Sequence, residues 1–132
     1  MTYLLDVNAL VALGFLQHEF HGRVAIWVAR AKGPLTLATC SITELGFVRV
    51  LTQAAAYGFT VPQSRTLLRR LKEARAPQFT FISDGHDVTH LPAWVKTAKQ
   101  ITDGHLAQLA SANVAVLATL DRKIPDAFLI PS

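Results

Sequence analysis

Four acidic residues, far apart in the sequence, lie where a folded chain can bring carboxylates together. Asp6 and Asp121 each follow a short apolar run, and Glu44 opens a helix that follows another such run. In an open parallel sheet, the carboxyl ends of the strands line the crevice where ligands bind. Asp103 instead starts a helix that leads into a strand, so only the preceding loop can bring it to the same edge. We therefore expect one site that contains all four acids.

A cluster of carboxylates needs a cation. Carboxylates about 5 Å apart repel by roughly 3 kcal/mol per pair at an effective dielectric constant near 20, and three pairs sum to about 10 kcal/mol. That repulsion is comparable with the stability of a whole domain, so it must be relieved by a metal ion or by raised pKa values. Oxygen ligands without clustered His or Cys suit hard ions. The site is thus predicted to hold Mg²⁺ or Mn²⁺ rather than zinc.

Each acid also has a purely structural explanation. Asp6 can serve as the N-cap of the helix that follows it, and Asp103 suits a helix N-terminus through the helix dipole. Glu44 can close a capping box with Ser41, and Asp121 suits a turn after a strand. From spacing alone both explanations stay open for every one of these residues.

The elements that must position these acids alternate between strand and helix. This alternation predicts an α/β fold with three layers and a mostly parallel five-stranded sheet. Strands are predicted at residues 2–5, 35–39, 79–82, 114–119 and 127–130. Helices are predicted at residues 9–16, 20–32, 41–58, 62–75 and 102–113, and a loop with a helical turn at residues 86–100. No linker or repeat interrupts the chain, so residues 1–132 are predicted to form one domain.

Composition agrees with a single compact domain. The 132 residues are 51% hydrophobic, which is enough for one substantial core. The first residues lack the basic region of a signal peptide, and no apolar run approaches the roughly 18 to 20 residues of a membrane helix. We expect a soluble, unprocessed, cytoplasmic protein. The only cysteine, Cys40, is expected to be a small buried hydrophobic residue.

The charge balance favours an anionic partner. Thirteen Lys and Arg against nine Asp and Glu give a formal charge of +4, which suits nucleic acid. Arg65, Arg69 and Lys72 share one face of the predicted helix 62–75. A face of this kind can bind a phosphate backbone, although a merely solvated face explains the same pattern.

Four motifs in order carry a family resemblance. They are Leu4-Leu5-Asp6-Val7-Asn8, Thr43-Glu44-Leu45-Gly46, Thr102-Asp103-Gly104-His105-Leu106 and Leu117-Ala118-Thr119-Leu120-Asp121-Arg122. With these motifs the chain resembles the PIN-domain ribonucleases, and most closely the VapC-type toxins of bacterial and archaeal toxin–antitoxin pairs. The resemblance covers nearly the entire chain.

The resemblance implies a PIN-like sheet with strand order 3-2-1-4-5 and a metal-dependent endoribonuclease that hydrolyses RNA phosphodiester bonds. It further implies a homodimer and a cognate antitoxin protein. Family members commonly carry a further acid at the position of Lys123, so a strong second metal site is not expected here. The implied residues are Asp6, Glu44, Asp103 and Asp121 as catalytic metal ligands, with Asn8 and Thr119 as polar supports. Apart from the resemblance, the candidate RNA contacts are the basic residues Arg65, Arg69, Lys72 and Arg122.

Three other functions fit parts of the pattern. An inert PIN-like module would bind RNA or protein without cutting. A phosphatase of the haloacid dehalogenase class needs a second Asp where this chain has Asn8, which cannot donate a proton in the same way. A receiver domain needs an acceptor Asp after strand three and a later lysine; Asp84 can imitate the acceptor, but no lysine is suitably placed.

Overall fold

A parallel five-stranded sheet forms the centre of the molecule, with helices on both faces. The computed structural model describes residues 1–132. Its strands, in sheet order β3-β2-β1-β4-β5 and all parallel, confirm the predicted α/β class and strand order. The strands are β1 Thr2–Leu5, β2 Thr36–Cys40, β3 Gln78–Ile82, β4 Val116–Thr119 and β5 Phe128–Leu129. The helices are α1 Val7–Gly14, α2 His21–Ala29, α3 Ser41–Gln53, α4 Val61–Glu73 and α5 Ile101–Ala112.

The second half of the central strand β1 is apolar on both faces of the sheet. Successive residues of a strand point to opposite faces of the sheet, and both faces here are covered. Leu5 belongs to the core that includes Leu10 of α1 and Phe47 of α3. Leu4 belongs to the core on the other face, with Leu106 of α5. Because helices cover both faces, Leu4 and Leu5 must both be apolar, and the polar Asp6 comes only after the strand ends.

The pairing of β1 with β4 sets the edge at which the acids meet. Leu5 lies opposite Ala118 in the parallel register, so the residues that follow the two strands leave the sheet side by side. Asp6 continues this pairing, because its backbone N–H donates to Ala118 O at 3.1 Å. The chain therefore places Asp6 and Asp121 at neighbouring strand ends, as the sequence predicts.

The start and end of α3 differ from the sequence prediction. The N-cap is Cys40, and its backbone N–H donates to Thr43 Oγ1 at 2.9 Å. The predicted capping box between Ser41 and Glu44 is therefore wrong, because Thr43 and not Glu44 accepts the bond from the N-cap residue. The helix ends at Gln53 instead of near residue 58, since Ala54 is extended (φ −80°, ψ 108°).

Other boundaries shift by a few residues. Helix α1 starts directly after Asp6, and α5 starts at Ile101 with Gln100 as its N-cap instead of Thr102 or Asp103. Strand β4 begins at Val116 instead of residue 114. The segment 86–100 is a loop with two 3₁₀ turns, Val88–His90 and Ala98–Gln100, which agrees with its predicted character. None of the helices has the length and apolar character needed to cross a bilayer.

Candidate active site

Asp6 has a structural role and also faces the site. Its Oδ1 accepts a hydrogen bond from Ala9 N at 2.8 Å, which caps α1. Its Oδ2 accepts one from Thr119 Oγ1 at 2.6 Å, across the junction of β1 and β4. Thr119 in turn accepts from Asp121 N at 3.0 Å. The N-cap explanation is thus correct, but it uses only one of the two carboxylate oxygens.

Three of the four predicted acids line one cavity. Asp6, Asp103 and Asp121 surround a space of about 340 Å³, together with Asn8 at the start of α1. Asp6 is nearly buried at 8% exposure, whereas Asp121 is exposed at the mouth. Acids from three separate parts of the chain therefore meet at the carboxyl edge of the sheet.

Asp103 reaches the cavity because the first turn of α5 is tied to the loop after β3. His105 Nε2 lies 2.5 Å from Asp84 Oδ2, and both side chains are only 14% exposed. Next to Asp103, Gly104 packs directly under Val95, where a Cβ atom would overlap the valine methyl. These two contacts hold the long loop between β3 and α5 against α5. They supply the placement of Asp103 that spacing does not give.

The electrostatics of the cavity show uncompensated negative charge. Burial raises the pKa of Asp6 above its usual value, and the charges of Asp103 and Asp121 add to this rise, against the hydrogen bonds from Thr119 and Ala9. Burial also raises the pKa of Asp103, and the nearby charge of Asp121 raises it further. A cation in this cavity would offset the repulsion between like charges that contributes to both raised pKa values.

Glu44 lies at the same edge of the sheet but does not line this cavity. Its Oε2 accepts from Thr39 Oγ1 at 2.6 Å and from Lys72 Nζ at 2.5 Å. No protein group donates to Oε1. The predicted fourth ligand is therefore paired with a lysine, and it retains one free oxygen.

Close packing of α3 on α1 brings the first turns of these two helices together. A Cβ atom built on Gly46 would lie 2.5 Å from Cγ2 of Val7, the residue after Asp6. Only glycine allows this approach without displacement of α1. The glycine of the second motif thus brings the start of α3 against the start of α1.

The donor set suits a hydrated hard cation. No group of three or more acidic, His or Cys side chains is already arranged to hold a metal ion directly. Magnesium usually keeps several of its waters and is held through one or two carboxylates. Carboxylates around a cavity of about 340 Å³ fit an ion of this kind, with water completing its coordination.

The predicted RNA contacts fall into two places. Arg65, Arg69 and Lys72 line a groove of about 920 Å³ between α3 and α4, which also contains Glu44. Arg69 lies 3.3 Å from Glu73 in an exposed ion pair, and Lys72 Nζ lies 5.5 Å from the centre of the Phe81 ring. Arg122 is exposed and lines neither the groove nor the acidic cavity.

Sequence reasoning missed Thr39. It is fully buried near the end of β2 and donates to Glu44, just as Thr119 near the end of β4 donates to Asp6. The available signal was a polar residue close to the carboxyl end of an apolar strand. The pairing of Glu44 with Lys72 has no such signal, because 28 residues separate them along the chain.

Several known proteins are similar to this chain. Three are ribonucleases of Mycobacterium tuberculosis: VapC38 is 36% identical (89% of this chain, 84% of that protein), VapC29 is 34% identical (92% and 86%), and VapC44 is 33% identical (94% and 89%). No family model matches the sequence.

A solved structure shares the fold. It is a chain in the crystal structure of VapBC2 from Rickettsia felis bound to a DNA fragment from their promoter. The superposition has a TM-score of 0.56 and 15% identity, and covers 98% of this chain and 97% of the other. At this identity the similarity establishes the architecture, which agrees with the sheet order described above.

Proposed function

This chain belongs to the VapC ribonuclease family, and from that premise we propose that it is a metal-dependent endoribonuclease and the toxin component of a toxin–antitoxin pair. The family predicted from the four motifs is thereby confirmed. The observation that carries the proposal is the convergence of Asp6, Asp103 and Asp121 on one cavity. Such a cavity suits hydrolysis of a phosphodiester when it holds a divalent cation, because the cation offsets the charge of the carboxylates and attracts the anionic substrate and transition state.

Asp6, Asp103 and Asp121 would hold Mg²⁺ or Mn²⁺, whereas the predicted role of Glu44 as a fourth ligand requires its free oxygen to reach the cavity from the neighbouring groove. When bound, the ion supplies positive charge against the phosphate oxygens and acidifies a water. The hydrogen bonds from Ala9 and Thr119 fix the orientation of the Asp6 carboxylate. Asn8 and Thr119 are supporting residues, and Lys123 leaves no acid for a strong second metal site.

We assign the orientation or deprotonation of the attacking water to Asp103 in preference to Asp121. Asp103 lines the cavity from the first turn of α5 and is partly buried there. Asp121 is exposed and its Oδ1 accepts from Lys123 N at 2.9 Å, so it is held by the turn that follows β4.

The activity is tested by incubation of the purified protein with total cellular RNA, with Mg²⁺, Mn²⁺ or a chelator, and by mapping of the new RNA ends. We expect cleavage with metal and none with chelator. Asp6→Asn should abolish cleavage and keep the fold, because asparagine also caps helices well. Asp126→Asn is the matched control: Asp126 lies outside the site with a φ of 58°, which asparagine tolerates.

Other outcomes favour the rival functions. RNA binding without cleavage under any metal condition would favour an inert PIN-like module. Cleavage that resists the chelator, or an undiminished rate in Asp6→Asn, would contradict the metal site. Release of phosphate from a small monoester without cleavage of RNA would favour a phosphatase.

We also propose that the groove between α3 and α4 carries the RNA backbone toward the acidic cavity. Arg65 and Arg69 are one helical turn apart on α4, and Lys72 completes the row next to Glu44. A strand lying along this row would meet successive cations and then the carboxylates. Arg122 follows Asp121 directly and would contact the strand beyond the cavity.

The salt dependence of RNA binding tests this path. Each phosphate contact to a single strand changes the slope of log K against log salt by about 0.7. Arg65→Gln should therefore reduce the slope by about that amount, with binding measured in chelator so that no RNA is cut. Arg70→Gln is the control, because Arg70 lies on α4 but outside the groove. Equal slopes for the two variants would contradict the proposed path.

A cognate antitoxin and a homodimer complete the proposal. An antitoxin that covers the cavity must neutralise its carboxylates, and an inserted Arg side chain does this with two parallel hydrogen bonds. Because the substrate is RNA, we place the protein in the cytoplasm. Light scattering during gel filtration tests the assembly: a homodimer has twice the chain mass of 14.4 kDa, and a mass of one chain would contradict it.

A further inference from the structure

His18 lies in the turn between α1 and α2 and contacts the rim of the acidic cavity. Its Nε2 lies 3.2 Å from Oδ1 of Asn8, and Asn8 lines the cavity. The backbone N–H of Phe20 donates to His18 Nδ1 at 3.0 Å. The imidazole is therefore held on both sides, once by the backbone of its own turn and once by Asn8.

The backbone contact determines which ring nitrogen carries the proton. A backbone N–H can only donate, so the Nδ1 that faces Phe20 must be an unprotonated acceptor. The neutral ring then carries its hydrogen on Nε2, which faces Asn8. Burial also lowers the pKa of His18, against the opposing charge of Glu19, which agrees with a neutral ring.

The proton on Nε2 in turn orients the Asn8 amide. A protonated Nε2 needs an acceptor, so the carbonyl oxygen of Asn8 faces His18 and the amide nitrogen faces away. No protein group accepts a hydrogen bond from that nitrogen, and the Asn8 side chain is exposed at the cavity. The two amide hydrogens are thus available to a ligand that offers acceptor oxygens.

We infer that His18 is a positioning residue. Its Nε2–H donates a hydrogen bond to the Asn8 oxygen, so the Asn8 amide group is left as a hydrogen-bond donor to a phosphate oxygen of the substrate. Asn8 then presents its amide nitrogen to the cavity, and a nitrogen that carries two hydrogens is a donor and not a metal ligand. This inference rests on the proposed ribonuclease function and specifies how the site holds its anionic substrate.

His18→Leu is the first variant to test. It should lower kcat for RNA cleavage about tenfold, as for the loss of a residue that orients an active-site group. Its affinity for Mn²⁺ should stay unchanged. His18→Gln should recover most of the rate, because glutamine offers one donor and one acceptor. His21→Leu is the matched control: His21 Nδ1 lies 2.7 Å from Ala12 O and ties the same turn to α1 without contact to Asn8. It should affect stability but not kcat.

A double-mutant cycle separates positioning from a general structural effect. In an Asn8→Ala background, His18→Leu should cause no further loss of kcat, because the group that His18 orients is gone. An equal loss in both backgrounds, or a loss of Mn²⁺ affinity in His18→Leu, would overturn the inference.

Nitrogen NMR of the metal-free protein gives a readout independent of cleavage. His18 should show the hydrogen on Nε2, and the side-chain amide of Asn8 should shift when an RNA oligonucleotide is added. A hydrogen on Nδ1, or an unmoved Asn8 amide, would overturn the inference. A wild-type protein that cuts no RNA would refute the proposed function, whereas these two NMR results would still decide the role of His18.

Discussion

Thr119 offers the sharpest test of how the site is held together. Its hydroxyl donates to Asp6 Oδ2 at 2.6 Å and accepts from Asp121 N at 3.0 Å, and its side chain is 1% exposed. Thr119→Val has nearly the same shape and leaves no cavity. The substitution therefore removes two polar contacts and little packing.

The size of the effect follows from these contacts. A hydrogen bond to a charged group contributes about 1.5 to 3 kcal/mol, and the backbone N–H of Asp121 loses a neutral bond of about 1 kcal/mol. Thr119→Val should thus lower the unfolding free energy by about 2 to 4 kcal/mol. With a urea m-value of about 2 kcal/mol/M, the midpoint should fall by about 1 to 2 M.

The loss should depend on pH because the partner is ionisable. The Asp6 pKa is raised in the folded protein, mainly by burial, so ionisation of Asp6 destabilises the metal-free fold as pH rises above the unfolded value near 4. The hydroxyl of Thr119 limits this destabilisation. The cost of Thr119→Val should therefore be largest at neutral pH, where Asp6 is ionised, and shrink as acid protonates Asp6.

Urea unfolding of the metal-free protein at several pH values measures this. Thr119→Ser keeps the hydroxyl and loses one methyl, so it should cost only about 1 kcal/mol at every pH. In an Asp6→Asn background, Thr119→Val should lose the charged part of its effect. A cost that is the same at every pH and in both backgrounds would refute the reasoning.

Two further predictions concern the packing around the site. Gly46→Ala should lower the unfolding free energy by about 1 to 3 kcal/mol, because the new Cβ would lie 2.5 Å from the side chain of Val7. The control Gly22→Ala, in helix α2 with open space around it, should raise the unfolding free energy by up to about 1 kcal/mol. Urea midpoints that fall equally in the two variants would contradict this prediction. Burial alone would raise the pKa of Asp84, but the hydrogen bond with His105 and the other contacts lower it overall. The stability that Asp84 contributes is therefore present above about pH 4 and lost as pH falls through its folded pKa. Asp84→Asn should cost about 1 to 3 kcal/mol at pH 7 and much less near pH 2, and a cost that stays constant in acid would contradict the assignment.

The local sequence pattern was sufficient to predict the strands and helices and part of the site. The apolar run before Asp6 has to be a strand buried on both faces, and the run before Asp121 likewise. Because neighbouring parallel strands end at the same edge, the proximity of these two acids follows from the fold class. Boundaries were less predictable: Thr43 competes with Glu44 for the cap of α3, and the competition depends on side-chain geometry.

The partners of the acids were decided by tertiary structure alone. The sequence displays Gly46 and Gly104, but not the Val7 and Val95 side chains that pack against them. Hydrophobic periodicity predicts which face of a helix is buried, but it does not predict how closely two helices approach or which ion pair forms between them. The pairing of Glu44 with Lys72 exists because α3 and α4 pack together, although the two residues are 28 positions apart in the chain. The sequence therefore determined the architecture and the presence of an acidic site, and the packing of the helices determined which carboxylates face the cavity and which is paired with a cation.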